Sequence, residues 1–131
     1  MTAPPALHGK TILVIEDNAD SAELIAYSLR SLGATVVTAA STGEAQSQIV
    51  RGKVDLILCD IALPDADGVQ FMTWLRALPP QLGSTTPCIA ITAFGEYYPP
   101  AYARGFNAYM KKPLDMPKLA ALIDKALTDK T

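Results

Sequence analysis

The chain has 131 residues, of which 50% are hydrophobic and 18% are charged, and its formal net charge is -2. This length predicts one domain, and the balance of apolar and charged residues excludes a disordered chain. With no cluster of basic residues, direct binding of nucleic acid is not expected. We place an N-terminal tail at 1–9, the folded domain at 10–127 and a C-terminal tail at 128–131.

Short apolar runs alternate along the chain with helical patterns, which predicts βα units around a parallel sheet. Several runs are apolar almost throughout, as in strands that are covered on both faces, so helices are expected on both sides of the sheet. The predicted strands are Thr11–Ile15, Ala34–Thr38, Val54–Cys59, Cys88–Thr92 and Ala108–Lys111.

The predicted helices carry apolar residues at helical spacing, between residues that favour helix ends. Asn18 is expected to cap the first helix and Gly33 to end it, while Asp115 caps the last, which has Pro117 in its first turn. The predicted ranges are Ala19–Leu32, Gly43–Val50, Val69–Leu78, a short helix at Pro100–Arg104, and a last helix that buries Leu119, Leu122, Ile123 and Ala126.

The N-terminal segment lacks the apolar core of a secretory signal, and no apolar run further along the chain reaches the ~20 residues of a membrane span. We therefore expect a soluble, cytoplasmic protein that does not bind membranes.

Polar residues follow the carboxyl ends of the predicted strands, where open parallel sheets bind their ligands. Three of these residues are carboxylates, which repel each other at one edge and would either take up protons or require a cation. Mg²⁺ is the hard cation that suits oxygen ligands. A cation and an ammonium beside a carboxylate also prepare it to attack phosphorus. The residues are Glu16 and Asp17 after the first strand, Asp60 at the third, Thr92 at the fourth and Lys112 after the fifth.

The cysteines, Cys59 and Cys88, both lie inside apolar runs, which predicts small buried side chains in a reducing compartment. If Asp60 and Thr92 align at the sheet edge, Cys88 lies beside Leu56, ~10 Å along the strand from Cys59. That separation is beyond the reach of a disulfide, so none is expected.

In combination, the motifs resemble a response-regulator receiver domain of two-component signalling, from about Lys10 to Leu127. The resemblance implies a flavodoxin-like (βα)5 doubly wound sheet of five parallel strands in the order 2-1-3-4-5. The matching segments are Ile-Leu-Val-Ile-Glu16-Asp17-Asn, Asp-Leu-Ile-Leu-Cys-Asp60, Leu63-Pro64-Asp65-Ala-Asp67-Gly68, Thr92-Ala93 and Lys112-Pro113.

The same resemblance implies a metal site and a phosphoacceptor. Asp60 would accept the phosphoryl group in a reaction that needs Mg²⁺, for which Mn²⁺ can substitute. Asp17 would bind the metal directly, Glu16 through water and Ala62 through its backbone carbonyl.

Three further residues take their roles from the resemblance. Thr92 would bond a phosphoryl oxygen, and Lys112 would neutralise the phosphoryl oxygens together with the metal. Tyr109, three residues before the lysine, fits the aromatic switch position. The Lys112–Pro113 peptide bond is usually cis in the family.

The implied donor is a phosphohistidine on a histidine kinase or a histidine phosphotransfer protein, and the implied output is a changed surface that an unidentified downstream protein reads. Such a domain catalyses only its own phosphotransfer and autodephosphorylation, and is not a dedicated enzyme. The extended segment Pro79–Pro87 resembles receivers attached to hybrid histidine kinases.

Three alternatives remain. A receiver-like scaffold could bind partners without phosphorylation. A Mg²⁺-dependent phosphatase with an aspartyl-phosphate intermediate is expected to carry its nucleophile after strand one, whereas Asp60 follows strand three. A flavin-binding protein of similar topology would have Gly, Ser and Thr in the loop after strand one, where this chain has Glu16 and Asp17.

Overall fold

The computed structural model describes residues 7–60, 68–92 and 106–128. The short helix predicted at Pro100–Arg104 lies outside these ranges. Within them, no helix has the length and apolarity needed to cross a membrane. The elements are β1 (Thr11–Ile15), α1 (Ala19–Ser31), β2 (Thr35–Ala39), α2 (Thr42–Arg51), β3 (Leu56–Asp60), α3 (Gly68–Arg76), β4 (Cys88–Thr92), β5 (Ala108–Lys111) and α4 (Met116–Thr128).

The five strands form one parallel sheet in the order β2-β1-β3-β4-β5, which confirms the predicted topology. The register between β3 and β4 differs by one residue from the expected one, because Asp60 lies beside Ile91 and Cys88 beside Ile57. The hydrogen bond from the amide of Ile57 to the carbonyl of Pro87, 2.9 Å long, sets this offset. Both cysteines are buried, and neither is part of a disulfide, as expected.

The core has two parts, one on each face of the sheet, and this confirms that helices cover both sides. Successive residues of a strand point to opposite faces, so the central strands contribute to both parts. With α2 and α3 lie Leu13, Ile15, Ile57, Cys59, Phe71, Met72 and Leu75. With α1 and α4 lie Ile12, Val14, Ile25, Leu29, Leu56, Leu58, Leu119 and Ile123.

The predicted ends of the first and last helices are confirmed. The Asn18 side chain accepts a 2.8 Å hydrogen bond from the amide of Ser21, and Gly33 follows α1 with φ of 99°. At α4, the side chain of Asp115 accepts a 3.2 Å hydrogen bond from the amide of Lys118.

The second helix begins one residue earlier than predicted because two side-chain hydrogen bonds fix its start. The Ser41 hydroxyl accepts a hydrogen bond from the amide of Glu44, and the Glu44 carboxylate accepts one from the amide of Ala40. The sequence Ser-x-x-Glu carries this signal, so the start at Thr42 was open to prediction.

The buried stripe of α4 is narrower than expected. Leu119 and Ile123 are fully buried, as predicted, whereas Leu122 and Ala126 are only half-buried. Because α4 contacts β5, which is an edge strand, the sheet covers only part of its apolar face. In α3, Met72 is fully buried together with Phe71 and Leu75.

The buried Leu7 precedes β1, in the stretch that the sequence analysis places in the N-terminal tail. Its side chain is 0% exposed and belongs to the core part beneath α1 and α4.

We expect Leu7→Ala to lower the free energy of unfolding by about 2–5 kcal/mol, because the substitution leaves a cavity. Urea unfolding checks this, with Leu24→Ala as the control, since Leu24 is 68% exposed. Equal destabilisation of the two variants would contradict the placement of Leu7.

Candidate functional site

Four charged side chains meet beyond the carboxyl ends of the strands. Glu16 and Asp17 follow β1, Asp60 ends β3, and Lys112 follows β5. Strands β1 and β3 are neighbours in the sheet, whereas β4 separates β3 from β5. The long lysine side chain spans that gap, so the sheet order itself brings the ammonium to the carboxylates.

The three carboxylates form one cluster of oxygen ligands. One oxygen each from Glu16, Asp17 and Asp60 lie within 4.8 Å of one another. Glu16 and Asp60 are buried, and Asp17 is exposed to solvent. A set of carboxylate oxygens without nitrogen or sulfur fits a hard divalent cation such as Mg²⁺ and not zinc.

The ammonium of Lys112 lies between two of these carboxylates. Its Nζ donates to Glu16 Oε1 at 2.7 Å and to Asp60 Oδ2 at 3.1 Å. Burial lowers the pKa of Lys112, but the hydrogen bonds and the charges of both acids more than offset this, so the pKa is raised overall. Lys112 therefore carries its positive charge at neutral pH.

The carboxylate of Glu16 is held at both oxygens. Oε1 accepts from Lys112, and Oε2 accepts from the amide of Asn18 at 3.2 Å. Burial raises the pKa of Glu16, the two hydrogen bonds lower it in part, and repulsion from Asp60 raises it further. Three clustered carboxylates face one ammonium, and a bound cation would reduce the repulsion among them.

The other predicted residues are less completely described. Thr92 ends β4, between the strand of Asp60 and the strand that leads to Lys112, and its side chain lies outside the described part of the chain, as does all of Ala62. Tyr109 lies in β5, half-buried against the core part beneath α2 and α3. The Lys112–Pro113 peptide bond is cis, as the resemblance implies.

Sequence reasoning missed two features of the site. The first is the amide of Asn18 as a partner of Glu16, which the motif Glu-Asp-Asn does not reveal. The second is a groove of about 510 Å³ between α1 and the segment after β5, beside Lys112. Helical spacing places Leu24 on the solvent side of α1 but cannot show what faces it. Besides Lys112, the groove is lined mainly by Ser21, Leu24, Ile25, Ser28, Pro113 and Met116.

Comparisons with known proteins agree on one family. Residues 12–124 match the family model "response regulator receiver domain". A 14.6 kDa uncharacterized protein in the sodA1 3' region of Leptolyngbya boryana is 36% identical over 116 residues, with 87% of each chain covered. The transcriptional regulatory protein ZraR of Salmonella typhimurium is 32% identical over 118 residues, which are 88% of this chain and 26% of ZraR. The chain thus spans about a quarter of that regulator's length.

Solved structures lead to the same family. The crystal structure of a putative response regulator from Chloroflexus aurantiacus J-10-fl has a TM-score of 0.84 and 31% identity, and covers 91% of this chain and 98% of its own. The sheet order, the acidic cluster at the strand ends and the family match over most of the chain lead to one conclusion: this chain belongs to the response regulator receiver domains.

Proposed function

We propose that the chain is a phosphoacceptor switch, in which Asp60 receives a phosphoryl group from a phosphohistidine when Mg²⁺ or Mn²⁺ is present. Receiver domains are in general signalling switches that interact with histidine kinases or phosphotransfer proteins. The observation that carries the proposal is the position of Asp60, whose carboxylate lies within a cluster of acids and 3.1 Å from the ammonium of Lys112.

The transfer exchanges one bond to phosphorus for another. An oxygen of the Asp60 carboxylate attacks phosphorus, and the bond from phosphorus to the donor's imidazole nitrogen breaks, after which the imidazole takes a proton from solvent. Lys112 stabilises the charge on the transferring oxygens because its Nζ already lies beside Asp60. Attack by water later releases inorganic phosphate and restores the carboxylate.

We assign the metal ligands from the acidic cluster and, for Ala62, from the family resemblance. Asp17, the exposed member, would bind the cation directly, Asp60 would bind it through a carboxylate oxygen, and Glu16 would act through water. Ala62 would contribute its backbone carbonyl. When bound, the cation neutralises charge on the phosphoryl oxygens and reduces repulsion between the acids.

The switch joins Asp60 to the rest of the sheet through β4 and β5. Thr92 would bond a phosphoryl oxygen, and Tyr109 would turn further inward, which shifts a population of conformations already present. The changed surface would then be read by a downstream protein. The Thr92→Ala variant tests this coupling, because it should accept the phosphoryl group without the conformational response that NMR should detect in the phosphorylated parent chain.

The groove beside Lys112 supports a protein as the phosphoryl donor, because it places an apolar surface next to the acceptor. We expect Leu24→Lys to slow transfer from an autophosphorylated histidine kinase about tenfold, since a charge in an apolar contact weakens docking by ~1.4 kcal/mol. Transfer from acetyl phosphate should stay within about twofold, because this small donor needs no docking surface. Both rates come from time courses of phosphorylated protein.

The matched control is Val50→Lys, which adds the same charge at an exposed apolar residue of α2, away from the groove. Its rates with both donors should equal those of the parent chain. If Leu24→Lys and Val50→Lys slowed the kinase reaction equally, the groove would not be the docking surface.

A chemical test of the linkage examines the proposal as a whole. After incubation with phosphohistidine donor and Mg²⁺, the chain should carry a phosphoryl group that neutral hydroxylamine removes, as an acyl phosphate requires. A hydroxylamine-resistant group would contradict a carboxylate acceptor. Sustained turnover of a generic phosphate ester would indicate a phosphatase, and the absence of any transfer would favour the phosphorylation-independent scaffold.

A further inference from the structure

The guanidinium of Arg76, at the end of α3, joins two segments that are distant in sequence. Nη1 donates to the carbonyl oxygens of Ser84 at 3.0 Å and Thr86 at 2.7 Å, and Nη2 donates to Asn107 Oδ1 at 3.2 Å. The Arg76 side chain is half-buried, which lowers its pKa, and these protein acceptors replace part of its hydration.

Asn107 in turn fixes the start of β5. The side-chain Oδ1 of Asn107 also accepts a 2.8 Å hydrogen bond from the backbone N–H of Cys88. The backbone N–H of Asn107 donates to the Cys88 carbonyl oxygen at 2.8 Å. Cys88 is the first residue of β4, and β5 begins at Ala108, the residue that follows Asn107. The Arg76–Asn107 pair therefore connects α3 and the beginnings of both strands.

Both elements that leave this pair lead to the proposed phosphorylation site. In one direction α3 runs back toward the segment that follows Asp60, and in the other β5 contains Tyr109 and ends just before Lys112. Because β5 has only 4 residues and is an edge strand, its position depends strongly on how its first residue is held. A displacement at Asn107 would carry through to the ammonium.

We propose that Arg76, acting through Asn107, is a positioning residue that sets β5 and thereby places Lys112 for the reaction at Asp60. This inference rests on the proposed function for its effect on the reaction, but not for its effect on β5. Neither residue contacts the acidic cluster through the hydrogen bonds given above, so the binding of Mg²⁺ should be largely independent of them.

The test compares Arg76→Met with Arg51→Met. Both arginines are the last residues of their helices, and Arg51 is exposed at the end of α2. We expect Arg76→Met to speed hydrogen exchange of the β5 amides about tenfold, with exchange in β1 unchanged. Its phosphorylation by acetyl phosphate should slow about tenfold, while the Mg²⁺ affinity from calorimetry stays within about twofold. Arg51→Met should behave like the parent chain.

A conservative variant separates positioning from general stability. In Arg76→Lys, the ammonium can donate to the carbonyls of Ser84 and Thr86 but lacks the planar fork that also reaches Asn107. We therefore expect a β5 exchange rate and a phosphorylation rate between those of the parent chain and Arg76→Met. The inference is overturned if Arg76→Met matches Arg51→Met, or if exchange in β1 and the Mg²⁺ affinity change as much as β5 and the rate do. Failure of the parent chain to accept phosphate would reject the proposed function instead, and exchange in β5 would still decide whether Arg76 holds this strand.

Discussion

Asp60→Asn should abolish phosphorylation and leave the fold intact. The amide oxygen is a poor nucleophile, and Glu16, the other buried carboxylate that contacts Lys112, is already held at Oε1 by Lys112 and at Oε2 by the amide of Asn18. The free energy of unfolding in metal-free buffer should rise by about 1 kcal/mol, because one of three mutually repelling carboxylates is removed while Lys112 keeps Glu16. Intact mass and urea unfolding measure the two effects.

The matched control is Asp55→Asn, which changes another buried aspartate just before the other end of β3. Asp55 is 8% exposed, and its Oδ2 accepts a 2.9 Å hydrogen bond from the amide of Thr11. This variant should keep phosphorylation and lose about 1 kcal/mol of stability, since a charge-assisted hydrogen bond becomes a neutral one. Phosphorylation of Asp60→Asn at the normal rate would show that the acceptor is a different residue.

Lys112→Met should slow phosphorylation by about a hundredfold or more, which is the usual effect of removing a charged donor that stabilises transition-state oxygens. It should also lower the free energy of unfolding by about 2 kcal/mol, because Glu16 stays buried while losing the 2.7 Å partner of Oε1. Time courses with acetyl phosphate at saturating Mg²⁺ give the rate.

Lys111→Met serves as the control for this prediction, because Lys111 is the neighbouring lysine and is exposed. It removes the same charge from the same strand end without touching the carboxylates, so both rate and stability should remain close to those of the parent chain. Equal slowing by the two substitutions would mean that net charge, and not the contact of Lys112 with Asp60, controls the rate.

The alternation of strands and helices and the parallel sheet could be predicted from the sequence pattern. The order of the strands was taken from the family resemblance. Runs such as Val54–Cys59 are apolar enough to require cover on both faces, and the five buried residues of the observed β3 confirm this. The polar residues that follow these runs therefore had to meet at one edge, and Glu16, Asp17, Asp60 and Lys112 do meet there.

The features that the sequence did not predict depend on contacts between segments far apart in the chain. The one-residue offset of β3 against β4 is set by the amide of Ile57 and the carbonyl of Pro87, which no local pattern reveals. Leu7 precedes the first recognisable strand, so its burial depends on the position of α1 and α4. The contact between Arg76 and Asn107 joins residues 31 positions apart and carries no sequence signature.

The most direct test of the central claim is the intact mass of the chain after incubation with acetyl phosphate, with and without Mg²⁺, compared with Asp60→Asn under the same conditions. The account predicts the addition of a single phosphoryl group to the parent chain, only when Mg²⁺ is present, and no addition to the variant. Addition without Mg²⁺, addition to Asp60→Asn, or no addition to the parent chain under any condition would contradict it.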